Sequence, residues 1–343
     1  MTEDALLNDS EESEDLYEHF KFVVDKGQDI VRIDKYLLDR MPNTSRNKIQ
    51  IAARNGNVVV NGTKVKQNYK VKPKDEVAIV LPYPIREIEL IPQNIPLDIV
   101  YEDDDVIIVN KVSNMVVHPG YGNYSGTLVN ALIYHFDQLG NKKPGELRPG
   151  LVHRIDKHTT GILVVAKNDD SLSNLAQQFY ERTTERKYIA LVWGDIESDG
   201  TVVGNLGRSP KNRKVMTVFA DGSDGKHAVT HYKVLKRFGY VTLIECKLET
   251  GRTHQIRVHM KYIGHPLFND LEYGGDQILK GTTGNSYIKF IQNCFSLIDG
   301  QALHARSLGF IHPTTKKWMH FEAELPTGLN TIIQKWESYI GEK

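Results

Sequence analysis

The segment at residues 153–167, with the sequence HRIDKHTTGILVVAK, constrains the fold of this chain more than any other stretch. Residues 162–166 form an apolar run rich in β-branched side chains, which predicts a buried strand. A single acid, Asp156, precedes that strand and lies among basic residues, which favour the charged form of a carboxylate. A carboxylate held at the edge of a buried strand suits a nucleophile or a base. By local physics alone, Asp156 could also be a loop aspartate that forms a salt bridge.

The composition is that of a soluble globular protein. Of the 343 residues, 40% are hydrophobic and 25% are charged, and this length allows a large domain beside a small one. No apolar run approaches the length of a membrane span, and the acidic N-terminus lacks the basic region of a secretory signal. Two cysteines, Cys246 and Cys294, give no disulfide framework. These features predict a cytoplasmic protein.

The net charge of +0 conceals two oppositely charged segments. Residues 1–20 carry eight Asp and Glu and no Lys or Arg, whereas residues 32–80 carry eleven Lys and Arg against four Asp and Glu. The polar, acidic composition predicts a disordered tail over residues 1–24. The positive excess that follows is compatible with a nucleic-acid partner, because local clusters of charge bind phosphate.

Residues 25–82 are predicted to form a small module. Helices are predicted over residues 34–38 and 46–55, the second with Thr44 or Ser45 as its N-cap, and a strand over residues 58–60. The stretches RIDKYL, TSRNKI, NGNVVVNG and VKPKDEV together resemble the S4 RNA-binding domain. The resemblance implies binding to structured RNA through its backbone and shape, although Lys-rich strands alone could be solvated edges. The residues expected to contact RNA in this module are Arg32, Lys35, Ser45, Arg46, Lys48 and Arg54.

The rest of the chain is expected to form one larger domain. Prolines between residues 82 and 96 predict an extended linker over residues 83–100. The domain itself is predicted over residues 101–330, followed by a C-terminal helix or tail at 331–343. Thr253 is the expected N-cap of a helix over residues 255–263. A basic loop that carries Arg208, Lys211 and Arg213 is a candidate phosphate clamp.

The segment HRIDKHTTGILVVAK closely resembles the signature of the RluA family of pseudouridine synthases, H-R-[LI]-D-x-x-T-[ST]-G-[IL]-[LI]. The resemblance implies that Asp156 is the catalytic aspartate, that Tyr188 in RKYIALVWG packs on the target base and acts in proton transfer, and that Arg252 in TGRTHQIRVH pairs with the aspartate. It also implies substrate-binding roles for four further residues, namely Arg154, which would enter the RNA stack, Ile256, which would line the uracil pocket, His153 and Thr160. One departure from the family pattern is Val112, which stands where the family usually has proline.

The resemblance covers residues 30–326 and is greatest to the ribosomal large subunit type D branch of the family. It implies an α+β fold, with a large mixed, mostly antiparallel sheet and a central cleft, plus the small S4 domain. The implied activity is isomerisation of uridine to pseudouridine in large-subunit ribosomal RNA by a monomer without a cofactor. No metal site is predicted, because His254 and His259 lie about 140° apart around a helix.

Three other functions fit parts of the sequence. The enzyme could act on transfer RNA, or the chain could be an S4-containing RNA-binding or ribosome assembly factor whose large domain only grips RNA. The presence of Asp156, Tyr188 and Arg252 together argues against a pure binder. A base-excising glycosidase would need a second carboxylate near Asp156, and no such residue is evident locally.

Overall fold

The computed structural model describes residues 17–41, 44–81, 90–120, 122–138, 149–212 and 215–341. The chain divides into two compact units, Met1–Glu87 and Ile88–Lys343. None of the helices in the described ranges combines the length and the apolar character that a bilayer span requires.

The N-terminal unit packs two short helices on a four-stranded antiparallel sheet with the order β1-β4-β2-β3. Its elements are β1 (Tyr17–Val23), α1 (Ile33–Leu38), α2 (Arg46–Arg54), β2 (Val58–Val60), β3 (Thr63–Lys64) and β4 (Glu76–Leu81). Ile33 and Leu37 of α1 are four residues apart and are both fully buried, so one face of the helix packs into the core. The predicted helices and the N-cap at Ser45 are confirmed.

The predicted disordered tail over residues 1–24 is wrong for its last part. The segment Tyr17–Val23 is strand β1 and pairs with β4, from Tyr17 opposite Leu81 to Val23 opposite Glu76. Backbone groups at the edge of β4 accept a partner strand whatever its side-chain charge, and the next residue, Val24, is buried in the core. Residues 1–16 lie outside the described ranges.

The C-terminal unit is built on one large mixed sheet. Its strands are β5 (Ile99–Glu102), β6 (Val106–Lys111), β7 (Gly150–Leu151), β8 (Thr160–Ala166), β9 (Glu185–Trp193), β10 (Gly200–Arg208), β11 (Met216–Phe219), β12 (Lys226–Arg237), β13 (Val241–Leu248), β14 (Leu303–Ile311) and β15 (Trp318–Glu322). Its helices are α3 (Leu128–Gln138), α4 (Asp169–Glu181), α5 (Gln255–Tyr262), α6 (Asn285–Phe295) and α7 (Thr327–Gly341).

The strand order within the described residues is β11-β10-β12-β13-β9-β14-β8-β6-β5, with β15 beside β14 and β7 beside β8. The pairing of β8 with β14 is parallel and the others are antiparallel. Alternate residues of the central strands enter different cores, so the sheet is covered on both faces. The predicted α+β class with a mostly antiparallel sheet is confirmed.

Two predicted boundaries of this domain are wrong. The predicted linker over residues 83–100 ends too late, because Ile95, Leu97 and Ile99 pack against the main core and Ile99 begins β5. Prolines remove backbone donors, but they do not prevent the alternating apolar residues from being buried. The C-terminal helix is present, but it is part of the domain, since Ile332 and Trp336 are fully buried in the core beside Trp193.

Candidate active site

A cleft of about 720 Å³ opens in the C-terminal unit, at the loop that joins β7 to β8. Six of the residues predicted for the site line it: His153, Arg154, Asp156, Tyr188, Arg252 and Ile256. The Asp156 side chain is 16% exposed, so it is reachable from the cleft while most of it is enclosed. The structure therefore gathers residues from three motifs that are distant in sequence.

Side chains from outside the signature hold the loop that carries Asp156. Lys111 Nζ donates to the carbonyl oxygens of Lys157 (3.0 Å), Val112 and Met115. Gln301 Nε2 donates to Thr159 Oγ1 at 3.0 Å. Gly161 ends the loop with φ of +111°, and a Cβ there would lie 2.2 Å from the Ala305 carbonyl oxygen on the neighbouring strand. The glycine of the signature is thus required by both backbone conformation and close packing.

Lys111, the residue before Val112, was not predicted as a site residue. It is 1% exposed, and burial lowers the pKa of its ammonium group to about 7, against the opposing charge of Asp156. Its donors are directed at carbonyl groups, so it fixes the loop backbone and leaves the Asp156 carboxylate to other partners.

The arginine that pairs with Asp156 is Arg257, and the prediction that Arg252 does so is wrong. Arg257 Nη1 lies 3.2 Å from Asp156 Oδ2, whereas Arg252 Nε donates to the His227 carbonyl oxygen at 3.2 Å. Both arginines belong to the motif TGRTHQIRVH, five residues apart. Only the position of helix α5 relative to the loop decides which of them reaches the aspartate.

Arg257 is buried and is the centre of a cluster of three carboxylates. Its Nε and Nη2 each lie 2.7 Å from Asp270, and Nη2 also lies 2.6 Å from Glu272. Burial lowers the pKa of the guanidinium, but the hydrogen bond to Asp270 and the charges of Asp270, Asp156 and Glu272 raise it above its ordinary value. A rigid guanidinium with several anionic partners can hold the Asp156 carboxylate in one orientation.

His254 is a second neighbour of Asp156 that the sequence did not identify. Its Nε2 lies 3.8 Å from Asp156 Oδ1, and its Nδ1 lies 2.9 Å from Tyr273 Oη. Tyr273 Oη accepts the Met216 backbone N–H at 3.0 Å, so its own proton is free for His254 Nδ1. In the tautomer in which Tyr273 donates to Nδ1, the ring proton of His254 is on Nε2, on the side of Asp156. Burial lowers the pKa of His254, with the charge of Asp156 opposing it, which favours this neutral form.

His254 also replaces the predicted N-cap. Helix α5 begins at Gln255, and His254 precedes it in the left-handed region with φ of +56°. The His254 side chain makes no capping hydrogen bond. Gln255 Oε1 accepts the Arg252 backbone N–H and the Thr250 hydroxyl, and these bonds fix the turn that precedes the helix. A non-glycine residue in this conformation is strained, and such strain is common where a side chain must be directed into a site.

Tyr188 and Ile256 form the apolar wall of the cleft. They are 8% and 4% exposed, and both belong to the main core. Burial raises the pKa of the Tyr188 phenol, with a smaller opposite effect from Arg186. The hydroxyl of Tyr188 is therefore protonated at neutral pH.

The remaining substrate-binding predictions differ in outcome. Arg154 is exposed at the cleft. His153 also lines the cleft, but its Nε2 accepts the Val164 backbone N–H at 3.1 Å and its ring stacks on Phe179. Thr160 does not line the cleft, because its hydroxyl lies 2.8 Å from His304 Nδ1 and it faces a separate cavity of about 210 Å³.

The predicted RNA-binding residues of the N-terminal unit lie on its surface. Arg32, Lys35, Ser45, Arg46, Lys48 and Arg54 are all exposed. Asp34 is fully buried and accepts hydrogen bonds from Arg32, Arg46 and Gln50, so it fixes two of the exposed guanidinium groups. Burial raises the pKa of Asp34, but these hydrogen bonds outweigh it and lower the pKa to about 2. Ser45 caps helix α2 by accepting the Lys48 backbone N–H.

The predicted phosphate clamp of the C-terminal unit follows strand β10. Arg208 ends that strand, and Arg208 and Lys211 are exposed. Arg213 lies outside the described residues.

One group of side chains in the described residues has the composition of a metal site. Ligand atoms of Asp103, Asp105 and His312 lie within 4.8 Å of one another. His312 Nδ1 accepts the Thr315 backbone N–H, so its Nε2 carries a proton that it donates to Asp103 at 2.9 Å. Because the carboxylates also accept several protein donors, this group is a hydrogen-bonded junction between strands.

Comparison with known proteins shows which families the two parts of the chain match. Residues 105–262 match the family described as RNA pseudouridylate synthase, and residues 31–77 match the S4 domain. An uncharacterized RNA pseudouridine synthase of Chlorobaculum parvum is 44% identical over 91% of this chain and 96% of its own length. The ribosomal large subunit pseudouridine synthase D of Zymomonas mobilis is 42% identical over 88% of this chain and 93% of its own length.

A solved structure shares the fold. Human RNA Pseudouridylate Synthase Domain Containing 4 superposes with a TM-score of 0.55 and 24% identity, over 70% of this chain and 92% of that chain.

Proposed function

The chain belongs to the RNA pseudouridine synthase family of isomerases, and we propose that it converts uridine to pseudouridine in large-subunit ribosomal RNA with Asp156 as the catalytic aspartate. One observation carries the assignment of Asp156: its carboxylate is the group that Arg257 and the fixed loop present to the cleft, beside the apolar wall of Tyr188 and Ile256. The relatives named ribosomal large subunit pseudouridine synthase D support the substrate.

The reaction needs only groups that the cleft supplies. The bond between C1′ and N1 breaks, a bond between C1′ and C5 forms, and the C5 proton is lost while N1 gains one. The product is an isomer of the substrate, so no oxidant, reductant or second substrate is consumed. The target uridine must first leave its helix to expose both ring atoms, which costs a few kcal/mol and is least costly in a loop.

Each cleft residue then has a distinct role. Asp156 begins cleavage of the glycosidic bond, either by attack on C1′ or by removal of the 2′ proton, and both routes use the same carboxylate. Arg257 orients that carboxylate through a hydrogen bond to Oδ2, and His254 lies beside Oδ1. Tyr188 packs on the base and acts in proton transfer, because its hydroxyl keeps a proton that it can donate.

RNA binding is shared among cationic surfaces. The exposed Arg and Lys residues of the N-terminal unit contact the RNA backbone and add affinity rather than chemistry. Arg154, exposed at the cleft, occupies the space that the uridine leaves in the stack. We also propose that the protein acts as a monomer in the cytoplasm.

The test is the variant Asp156→Asn, which removes the charge and keeps the shape. With RNA labelled with tritium at uridine C5, tritium release should be abolished, while RNA affinity should change by no more than a few-fold. Glu249→Gln is the matched control, because Glu249 also lines the cleft but pairs with His231. Comparable turnover by Asp156→Asn would refute the catalytic assignment.

The substrate is tested with the native enzyme on ribosomal RNA, transfer RNA and isolated stem-loops. Faster modification of transfer RNA would refute the ribosomal substrate and leave the chemistry intact.

A further inference from the structure

Arg186 is a buried cation beside the active site that the reaction chemistry above does not use. It lies on strand β9 two residues before Tyr188, and residues two apart on a strand point to the same face. Both side chains accordingly line the cleft. Arg186 is 7% exposed, so its charge is almost completely removed from bulk water.

Arg186 lacks the partner that a buried guanidinium requires. Among the described residues it forms no ion pair, and its buried Nε has no hydrogen-bond partner. The adjacent Glu185 pairs with Lys187, and Glu249 at the cleft pairs with His231. Arg257, in the same cleft, has three carboxylate partners. A buried charge without an anion is costly, so it is retained where a ligand supplies the anion.

The surroundings of Arg186 keep its guanidinium accessible from the cleft. Its Cζ lies 5.4 Å from the centre of the Phe179 ring, a contact that supports the cation without neutralising it. On another side lies Gly251, where a Cβ would come within 2.9 Å of Nη1. The absence of a side chain at Gly251 leaves the space that the guanidinium occupies.

We propose that Arg186 binds one backbone phosphate of the RNA, next to the uridine that enters the cleft. This inference rests on the proposed function, because it takes the cleft ligand to be RNA. Tyr188 and Asp156 fix where the uridine lies, and its own phosphates are the anions that must accompany it. The planar guanidinium suits a phosphate because it can donate two parallel hydrogen bonds.

The test measures affinity, with the full chain and the stem-loop RNA that it binds most tightly. Each loop phosphate in turn is replaced by an uncharged methylphosphonate. For the native protein, one position should weaken binding by about tenfold to hundredfold, the value of a charge-assisted hydrogen bond. Arg186→Gln should show the same loss on unmodified RNA and no further loss at that position. If the losses of affinity from Arg186→Gln and from the methylphosphonate were additive at every phosphate position, the proposal would be overturned.

Two further measurements separate binding from a structural role. Arg186→Gln should melt at the same temperature as the native protein or higher, because it removes an uncompensated buried charge; a clear decrease would indicate a structural cation and overturn the proposal. Arg237→Gln is the matched control, since Arg237 is an exposed arginine paired with Asp195 outside the cleft. The Arg237→Gln protein should lose affinity at the same phosphate position as the native protein.

The affinity and melting measurements do not depend on whether the enzyme turns over. If no uridine is isomerised but the phosphate effect persists, the proposed function fails and Arg186 remains an RNA-binding residue.

Discussion

The substitution Arg257→Gln tests which of the two arginines in the TGRTHQIRVH motif pairs with Asp156. Arg257 is 4% exposed and its partner Asp270 is fully buried. The substitution leaves Asp270, Glu272 and Asp156 without their shared cation, and removing one partner of a buried ion pair costs about 3–5 kcal/mol. At about 2–4 °C per kcal/mol for a domain of this size, the melting temperature should fall by about 6–20 °C.

Arg252→Gln is the matched control, because it removes the same group from the same motif. Arg252 donates one hydrogen bond to a backbone carbonyl, worth about 0.5–1.5 kcal/mol, so the melting temperature should fall by about 1–6 °C. Both proteins are compared by thermal unfolding and by tritium release.

Turnover adds a second readout. A catalytic group displaced by about 1 Å can lose about a hundredfold in rate, so Arg257→Gln should lose at least that much at a temperature where it is folded. In a double-mutant cycle on thermal unfolding, the loss of Arg257 should cost less stability in the Asp156→Asn protein than in the native protein. If Arg252→Gln were the more damaging of the two changes, in stability and in turnover, the pairing of Arg257 with Asp156 would be refuted.

Other consequences of the structure can be measured separately. Deleting residues 1–87 should leave a folded C-terminal unit with weaker RNA binding and a shallower salt dependence; unchanged values would mean that the N-terminal unit does not touch RNA. Tyr273→Phe removes the hydroxyl that lies between Met216 and His254, so it should lower turnover more than stability. If this variant turned over as fast as the native enzyme, the orientation of His254 by Tyr273 would not matter for the reaction. Burial lowers the pKa of His153 from 6.5 to about 3, so the unfolded state binds the proton first. Stability present above pH 6.5 should be lost as the pH falls, by about 2–3 kcal/mol at pH 4.5, and urea unfolding of His153→Gln should lack this loss.

Much of the fold could be predicted because its signals are local. The β-branched run before Ala166 becomes strand β8, and Asn168 caps α4 by accepting the Ser171 backbone N–H. The sequence resemblance also identified six of the residues that line the cleft, Asp156 and Tyr188 among them. The strand at Tyr17–Val23 was not predictable from composition, because its stability comes from pairing with β4 some 60 residues later.

The sequence by itself determined which side chains are present in the cleft, because each motif carries its own residues on a strand, a loop or a helix end. Only the tertiary structure decided which of them meet. Arg252 and Arg257 have the same side chain and lie three residues before and two residues after the start of α5, but packing of α5 directs Arg257 to Asp156 at 3.2 Å. Arg186 and Arg257 have the same side chain, but within the described part of the chain Arg186 has no anionic partner and Arg257 has three. Charge pairing depends on distances of a few ångströms between segments far apart in the chain, and only the packing of the fold sets those distances.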